Sequence, residues 1–285
     1  MSQAPAGVDE DELNRAARRV LLDALTALKS HADALTVVGA QAVYLRTQDA
    51  AVRSAAYTSD GDISIDPERL GEQPLLEEAM KKAGFARRDA NQSGLWERME
   101  TVGNRVVPVE VDLLVPHQLA PKPNAKRRTE LPPHDEWATK KVAGLEAAAV
   151  DRSLMTVSSL DPHDTRSVDV NVAGPAALLI AKAFKLSERI AQAAKKPARL
   201  SDNDAGDVFR IMMTVPVEEV AHSVALLVGN ARVGETAASG LKKLQQLFGA
   251  AATPGTNLAV QALAGDVPEA RIRLLAPRYV MSLTA

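Results

Sequence analysis

The sequence predicts a mixed α/β fold, a mixed β-sheet core with flanking helices, followed by a helical C-terminal domain. Three observations carry that prediction. Short apolar segments with strand-like alternation recur between Leu35 and Val172, interleaved with helical stretches. From Pro175 onward the apolar residues recur at helical spacing almost to the end. Alanine, leucine and valine are abundant while aromatic residues make up only 3% of the chain, a composition that suits helix packing. The change of pattern sets a boundary near Gly174, giving an α/β domain over residues 1–173 and a helical domain over 174–285.

Residues 1–8 read as a loose tail. Asp9 to about Ala32 reads as an amphipathic helix through Leu13, Ala17, Val20, Leu21, Leu25 and Leu28. Leu35–Val38 reads as a short strand running into Gly39, with a helix over AQAVYLR behind it. Asp60–Asp66 alternates as a strand does, and Pro67 stops it. A helix is expected from Pro74 to about Lys82, closed by Gly84. Strands follow at Leu95–Thr101 and Arg105–Val115, joined by a turn at Gly103-Asn104. Pro116–Pro133 has the composition of a loop. Further strands are expected at Lys140–Ala148 and Ser167–Val172, with Leu154–Ser158 left unassigned between them. Pro175 fits the first turn of a helix that runs to about Ala194. Helices at Asn203–Met213, Val217–Leu227, Thr236–Phe248, Leu258–Ala264 and Pro268–Tyr279 complete the chain.

Several function classes lose support at once. The chain has no cysteine, which removes disulfides, thiolate metal sites and cysteine catalysis. Its formal net charge of −2 is not that of a general nucleic-acid binder, although local basic patches remain open. There is no Walker A loop, Gly-x-Ser-x-Gly elbow or His-Glu-x-x-His motif. MSQAPAGVDEDEL has neither a basic nor an apolar leader region, and PAALLIAKAF is broken by Lys182, so a cytoplasmic protein with no membrane partner is expected.

The informative segment is Thr58-Ser59-Asp60-Gly61-Asp62. Residues two apart on a strand share a face, so Asp60 and Asp62 project together while Ile63 and Ile65 point into a core. In Val107–Val115, Val109, Val111 and Leu113 form one apolar face and Glu110 and Asp112 share the other. If the two strands are neighbours, Asp60, Asp62 and Asp112 converge, and three close carboxylates call for a cation. All-oxygen ligands beside phosphate suit Mg2+. Upstream, Val37-Val38-Gly39-Ala40 is a strand ending in a glycine at a helix start, where backbone N–H groups favour anions. Taken singly, Asp-x-Asp is also common in surface turns.

A second constellation lies in the helical half. Lys182, Lys185 and Arg189 fall on one side of a largely apolar helix, and Asp204 and Asp207 are one turn apart at the start of the next. Two ordinary amphipathic helices with solvated charges would look the same. Lys122, Lys126, Arg127 and Arg128 form a basic loop that is either simply solvated or in contact with an RNA backbone. His134 and His163, each followed by aspartate, read as structural or surface residues, and Trp96 and Trp137 as packing residues.

Gly39-Ala40 followed by Thr58-x-Asp60-x-Asp62, with Asp112 as a third acid, resembles the signature of the DNA polymerase β-like nucleotidyltransferase superfamily. Leu178-Leu179-x-x-Lys182, Arg189 and Asp204-x-x-Asp207 resemble the C-terminal motifs of its AbiEii/AbiGii-type toxins, which include the MenT toxins. The likeness runs through roughly Val37–Arg210. It departs at Ala40, where glycine or serine is usual, and at Lys185 and Ser201–Asn203. The resemblance implies a Mg2+-dependent nucleotidyltransferase that transfers NMP from an NTP and releases pyrophosphate, the toxin of a bacterial toxin–antitoxin pair. It implies RNA, the tRNA 3′ end, as acceptor and a cognate antitoxin protein as partner. On that likeness Asp60, Asp62 and Asp112 hold metal, while Lys182 and Asp204 complete the catalytic set. Gly39, Ala40, Thr58, Lys182 and Arg189 are then the nucleotide-binding residues. A small-molecule (aminoglycoside-like) nucleotidyltransferase and a catalytically silent binding module are the rival readings.

Overall fold

Asp9 opens the first helix by accepting the Glu12 backbone N–H at 2.9 Å, with Glu10, Asp11 and Glu12 lining the positive first turn. The computed structural model describes residues 9–48, 58, 60–121, 128–197 and 200–283. Helix α1 spans Glu10–Ala27, shorter than the periodicity predicts. Lys29–Ala34 instead forms a tighter 3-10 segment, which turns the chain directly into strand β1, Leu35–Val38. His31 anchors that turn, its Nε2 lying 2.8 Å from the Pro74 carbonyl oxygen.

Residues with strand alternation build a mixed sheet. β2 is Asp60–Ile65, β3 Ala86–Arg87, β4 Leu95–Val102, β5 Arg105–Pro116, β6 Lys140–Val142, β7 Arg152–Ser158 and β8 Ser167–Ala173. Their order is β3-β4-β5-β2-β1-β8-β7, with β6 also on β5. β1 runs antiparallel to β2 and parallel to β8, while β2 runs parallel to β5. β4 and β5 form the expected hairpin: Val102 pairs with Arg105, and Gly103 takes a φ of 58° in the turn. Helix α1 covers one face of the sheet, where Gly61 makes room for Leu21 and Val109, Val111 and Leu113 are fully buried. The fold is therefore mixed α/β, as the periodicities predict.

Three stretches differ from expectation. The strand predicted over Lys140–Ala148 stops at Val142. Gly144 takes a φ of 90° close against Phe184, its N–H donates to Glu146 Oε2 at 2.8 Å, and Glu146–Ala149 becomes a 3-10 turn. The unassigned stretch at Leu154–Ser158 is the edge strand β7, whose solvent-facing Leu154 and polar neighbours hid the alternation. Within the proline-rich loop, His117–Leu119 forms one 3-10 turn.

The helical half contains α4 (Pro175–Gln192), α5 (Asn203–Thr214), α6 (Val217–Val228), α7 (Gly234–Phe248), α8 (Pro254–Ala262) and α9 (Glu269–Ser282). A short α2 (Gly39–Arg46) and α3 (Leu76–Lys82) lie earlier. α8 starts earlier than predicted because Pro254 takes the first turn, and α9 continues through Pro277. By their described residues the chain forms two compact units: Met1–Gln41, Tyr57–Ala143 and Arg152–Val172 in one, Ala42–Ala56, Gly144–Asp151 and Ala173–Ala285 in the other. The second unit uses its borrowed pieces. Asp151 Oδ2 accepts the Ala177 N–H at 2.8 Å at the start of α4, and Arg210 Nε donates to Thr47 Oγ1 at 2.7 Å. Among the described residues no single helix is long and apolar enough to cross a membrane.

Candidate active site

In the first unit the parallel pairing of β2 with β5 sets Asp62 opposite Asp112 and Asp60 opposite Glu110. Alternation then sends all four carboxylates to the face opposite α1. Antiparallel pairing of β1 with β2 sets Val38 opposite Asp62, so Gly39 begins α2 beside the acids. Gly39 has a φ of 69°, and a Cβ there would collide with the Asp62 carboxylate. Both the turn and the close approach therefore require glycine. Ala40 is buried in the first turn of α2, one residue on. Thr58 is fully buried and donates from Oγ1 to Asp60 Oδ1 at 2.5 Å, fixing that carboxylate.

Cations answer the acids. Lys140 Nζ donates to Asp112 Oδ2 at 2.5 Å, and Arg88 Nη1 lies 2.7 Å from Glu110 Oε1. Burial pushes the Asp112 carboxyl above its ordinary pKa; the Lys140 ammonium opposes that shift, while Asp60 and Glu110 reinforce it. Burial likewise raises Glu110, against the pull of Arg88. Asp112 Oδ1 is buried and has no hydrogen-bond partner.

The donor set passes the chemical test for a hard divalent cation. It offers oxygen only, its charge is negative, and one buried acceptor oxygen is left unsatisfied. The backbone register brings Asp60, Asp62 and Asp112 to neighbouring positions, as the alternation predicts. Each carboxylate has its own neighbour: Asp60 Oδ1 accepts from Thr58, Asp62 lies against Gly39, and Asp112 Oδ2 accepts from Lys140. Accordingly, among the described residues no three His, Asp or Glu side chains are gathered closely enough to hold a metal ion.

In the second unit α4 and α5 bring the other motif together. Lys182 Nζ donates to Asp204 Oδ1 at 2.7 Å and to Asp207 Oδ2 at 2.6 Å, and all three side chains are at most 5% exposed. Lys185 Nζ adds a 3.0 Å bond to Asp204 Oδ1, and Arg189 Nη1 lies 3.6 Å from Asp204 Oδ2. Burial works against the charged lysine, but the two aspartates outweigh it and hold Lys182 above its usual pKa. Burial also opposes ionisation of Asp204, yet Lys182, Lys185 and Arg189 together hold it far below the ordinary carboxylate range. Asp207, with only Lys182 as its main counter-charge and its Oδ1 unpartnered, is raised by burial.

The weaker signals resolve locally. Arg128 pairs with Glu136 at 3.0 Å and stacks over Trp137, whereas Lys122, Lys126 and Arg127 lie outside the described residues. Trp96 is fully buried and donates Nε1–H to the Ala138 carbonyl at 2.9 Å. His134 is buried, its Nδ1 accepting the Leu76 N–H at 3.3 Å while Nε2 faces the Gly71 carbonyl at 3.0 Å. Motif reading missed Lys140 and Arg88. No local signal marks Lys140, which reaches Asp112 only because Leu114 on β5 pairs with Lys140 on β6.

Comparison of the chain with family models, with curated proteins and with solved structures gives no match in any of the three.

Proposed function

We propose that the protein is a Mg2+-dependent nucleotidyltransferase that transfers NMP from an NTP to an acceptor. The observation that carries this reading is the β2–β5 register, which ranks Asp62 beside Asp112 and Asp60 beside Glu110 next to the Gly39 turn. Asp60, Asp62 and Asp112 would hold the Mg2+, which when bound supplies charge neutralisation for the triphosphate and the departing pyrophosphate. Thr58 orients Asp60. Gly39 leaves the first turn of α2 without a side chain where the Asp62 carboxylate packs, which seats that acid beside the helix start. Lys182 and Asp204 enter through the motif resemblance. Asp204 receives Lys182 and Lys185 on one oxygen and is held strongly acidic, which makes it a poor proton acceptor and favours the role of lysine orienter. Arg189, beside the same carboxylate, belongs to that cluster.

The resemblance extends the proposal to an RNA acceptor, the tRNA 3′ end, and to toxin action opposed by a cognate antitoxin protein. The test is incubation of purified protein with Mg2+, each labelled NTP and total tRNA. Label on RNA is expected, and Asp62→Ala should abolish it with the circular dichroism spectrum unchanged. Label on small molecules only would favour an aminoglycoside-like enzyme. Absence of both transfer and metal-dependent NTP binding would favour a silent module. Wild-type turnover by Asp62→Ala would refute the metal assignment.

A further inference from the structure

We infer that Lys140 is the built-in counter-cation of the carboxylate face and competes with the divalent ion for Asp112. The inference rests on the metal reading above and concerns a residue outside its motifs.

The geometry is specific. Asp112 lies opposite Asp62 in the β2–β5 register, with the Asp60–Glu110 pair two residues along the same strands. Lys140 Nζ is bonded to Asp112 Oδ2, the two side chains being 17% and 16% exposed, so the pair lies at the edge of the cluster rather than in open solvent. Asp112 Oδ1 has no hydrogen-bond partner among the described residues. An ammonium thus satisfies one oxygen of the carboxylate and leaves the other buried without a hydrogen-bond partner. A divalent ion on Asp112 would stand beside that ammonium, and like charges at such range repel strongly where water is partly excluded. Binding the ion requires the ammonium to leave Oδ2.

The backbone of Lys140 is held by strand pairing, and its side chain reaches Asp112 through rotatable bonds. β6 pairs in register with β5, Leu114 opposite Lys140. Gly94, at a φ of 71°, presses so close that a Cβ there would lie 2.5 Å from the Lys140 backbone nitrogen. Displacement is therefore a rotation about the lysine's four flexible side-chain bonds, without movement of the strand. Arg88 on Glu110 is a different device. Its guanidinium neutralises a neighbour of the cluster and leaves Asp112 untouched.

The consequence is that Lys140 weakens metal affinity and stabilises the metal-free fold. Its test uses the full-length protein and Mn2+, with free Mn2+ counted by electron paramagnetic resonance for wild type, Lys140→Met, Lys140→Arg and Asp62→Ala. Lys140→Met should bind Mn2+ about tenfold more tightly than wild type, the like charge being gone. Lys140→Arg should stay close to wild type. In metal-free buffer Lys140→Met should melt below wild type and regain most of the loss on adding Mn2+, a pattern that simple structural damage does not produce. Unchanged or weaker Mn2+ binding by Lys140→Met overturns the inference alone, provided wild type binds the ion and Asp62→Ala does not. Wild type that binds no Mn2+ overturns the metal reading and this inference together.

Discussion

Lys182 is a lysine taken out of water and kept charged by two aspartates. Removing it leaves buried Asp207 without its main counter-charge and takes one of three cations from Asp204, so Lys182→Met should cost about 3–5 kcal/mol in urea unfolding. Adding Asp207→Asn should recover part of that loss, because Asp207 has lost its main counter-charge while Asp204 keeps Lys185 and Arg189. A strictly additive double variant would argue against the triad. His134 supplies the pH dependence. Burial holds its pKa below the ordinary value, the nearby His31 adding to the effect while the Gly71 carbonyl and Glu77 oppose it. The folded state then binds fewer protons than the unfolded one once pH falls below about 6.5, the ordinary histidine value. Stability present above that value is lost on acidification, with a slope of at most about 1.4 kcal/mol per pH unit for one proton. Melting curves from pH 7.5 to 5 should fall, and His134→Gln should flatten that fall.

At the scale of elements, the β1–α2 junction is where backbone conformation and site chemistry meet. Gly39→Ala would hold an alanine in left-handed geometry and drive its methyl group into the Asp62 carboxylate. The expected result is a loss of about 1–3 kcal/mol together with impaired Mn2+ and NTP binding, while circular dichroism still reports the α/β fold. Unchanged binding would detach Gly39 from the site. The β5–β6 pairing illustrates the other kind of element. Three residues of strand bring Lys140 to Asp112 across a chain separation of 28 residues.

At the scale of the molecule, the two units do not follow one cut in the chain. The second takes Gly144–Asp151 and Ala42–Ala56 from the sheet-forming half. A fragment of residues 174–285 lacks Asp151 at the start of α4, Thr47 under Arg210 and the Gly144 turn against Phe184. That fragment should not unfold cooperatively in urea, whereas the full chain should. A sharp transition in the fragment would mean that its helices need none of those contacts.

Local rules were enough wherever a residue's neighbours in sequence decide its state. β1, the β4–β5 hairpin and the start of α4 follow from a short apolar run, turn chemistry and Pro175. The shared face of Asp60 with Asp62 and of Glu110 with Asp112 follows from the strand period, and the pairing of Lys182 with the α5 aspartates is foreshadowed by their motif. Tertiary structure decided what depends on which strands become neighbours. It chose the parallel β2–β5 register, gave Asp60 Thr58 as its partner, and supplied Lys140 to Asp112. It also ended β6 early and assigned Gly144–Asp151 to the helical unit. The physical reason is that side-chain periodicity is a property of the local backbone, whereas register and charge pairing are set by competition among distant segments for the same packing surface.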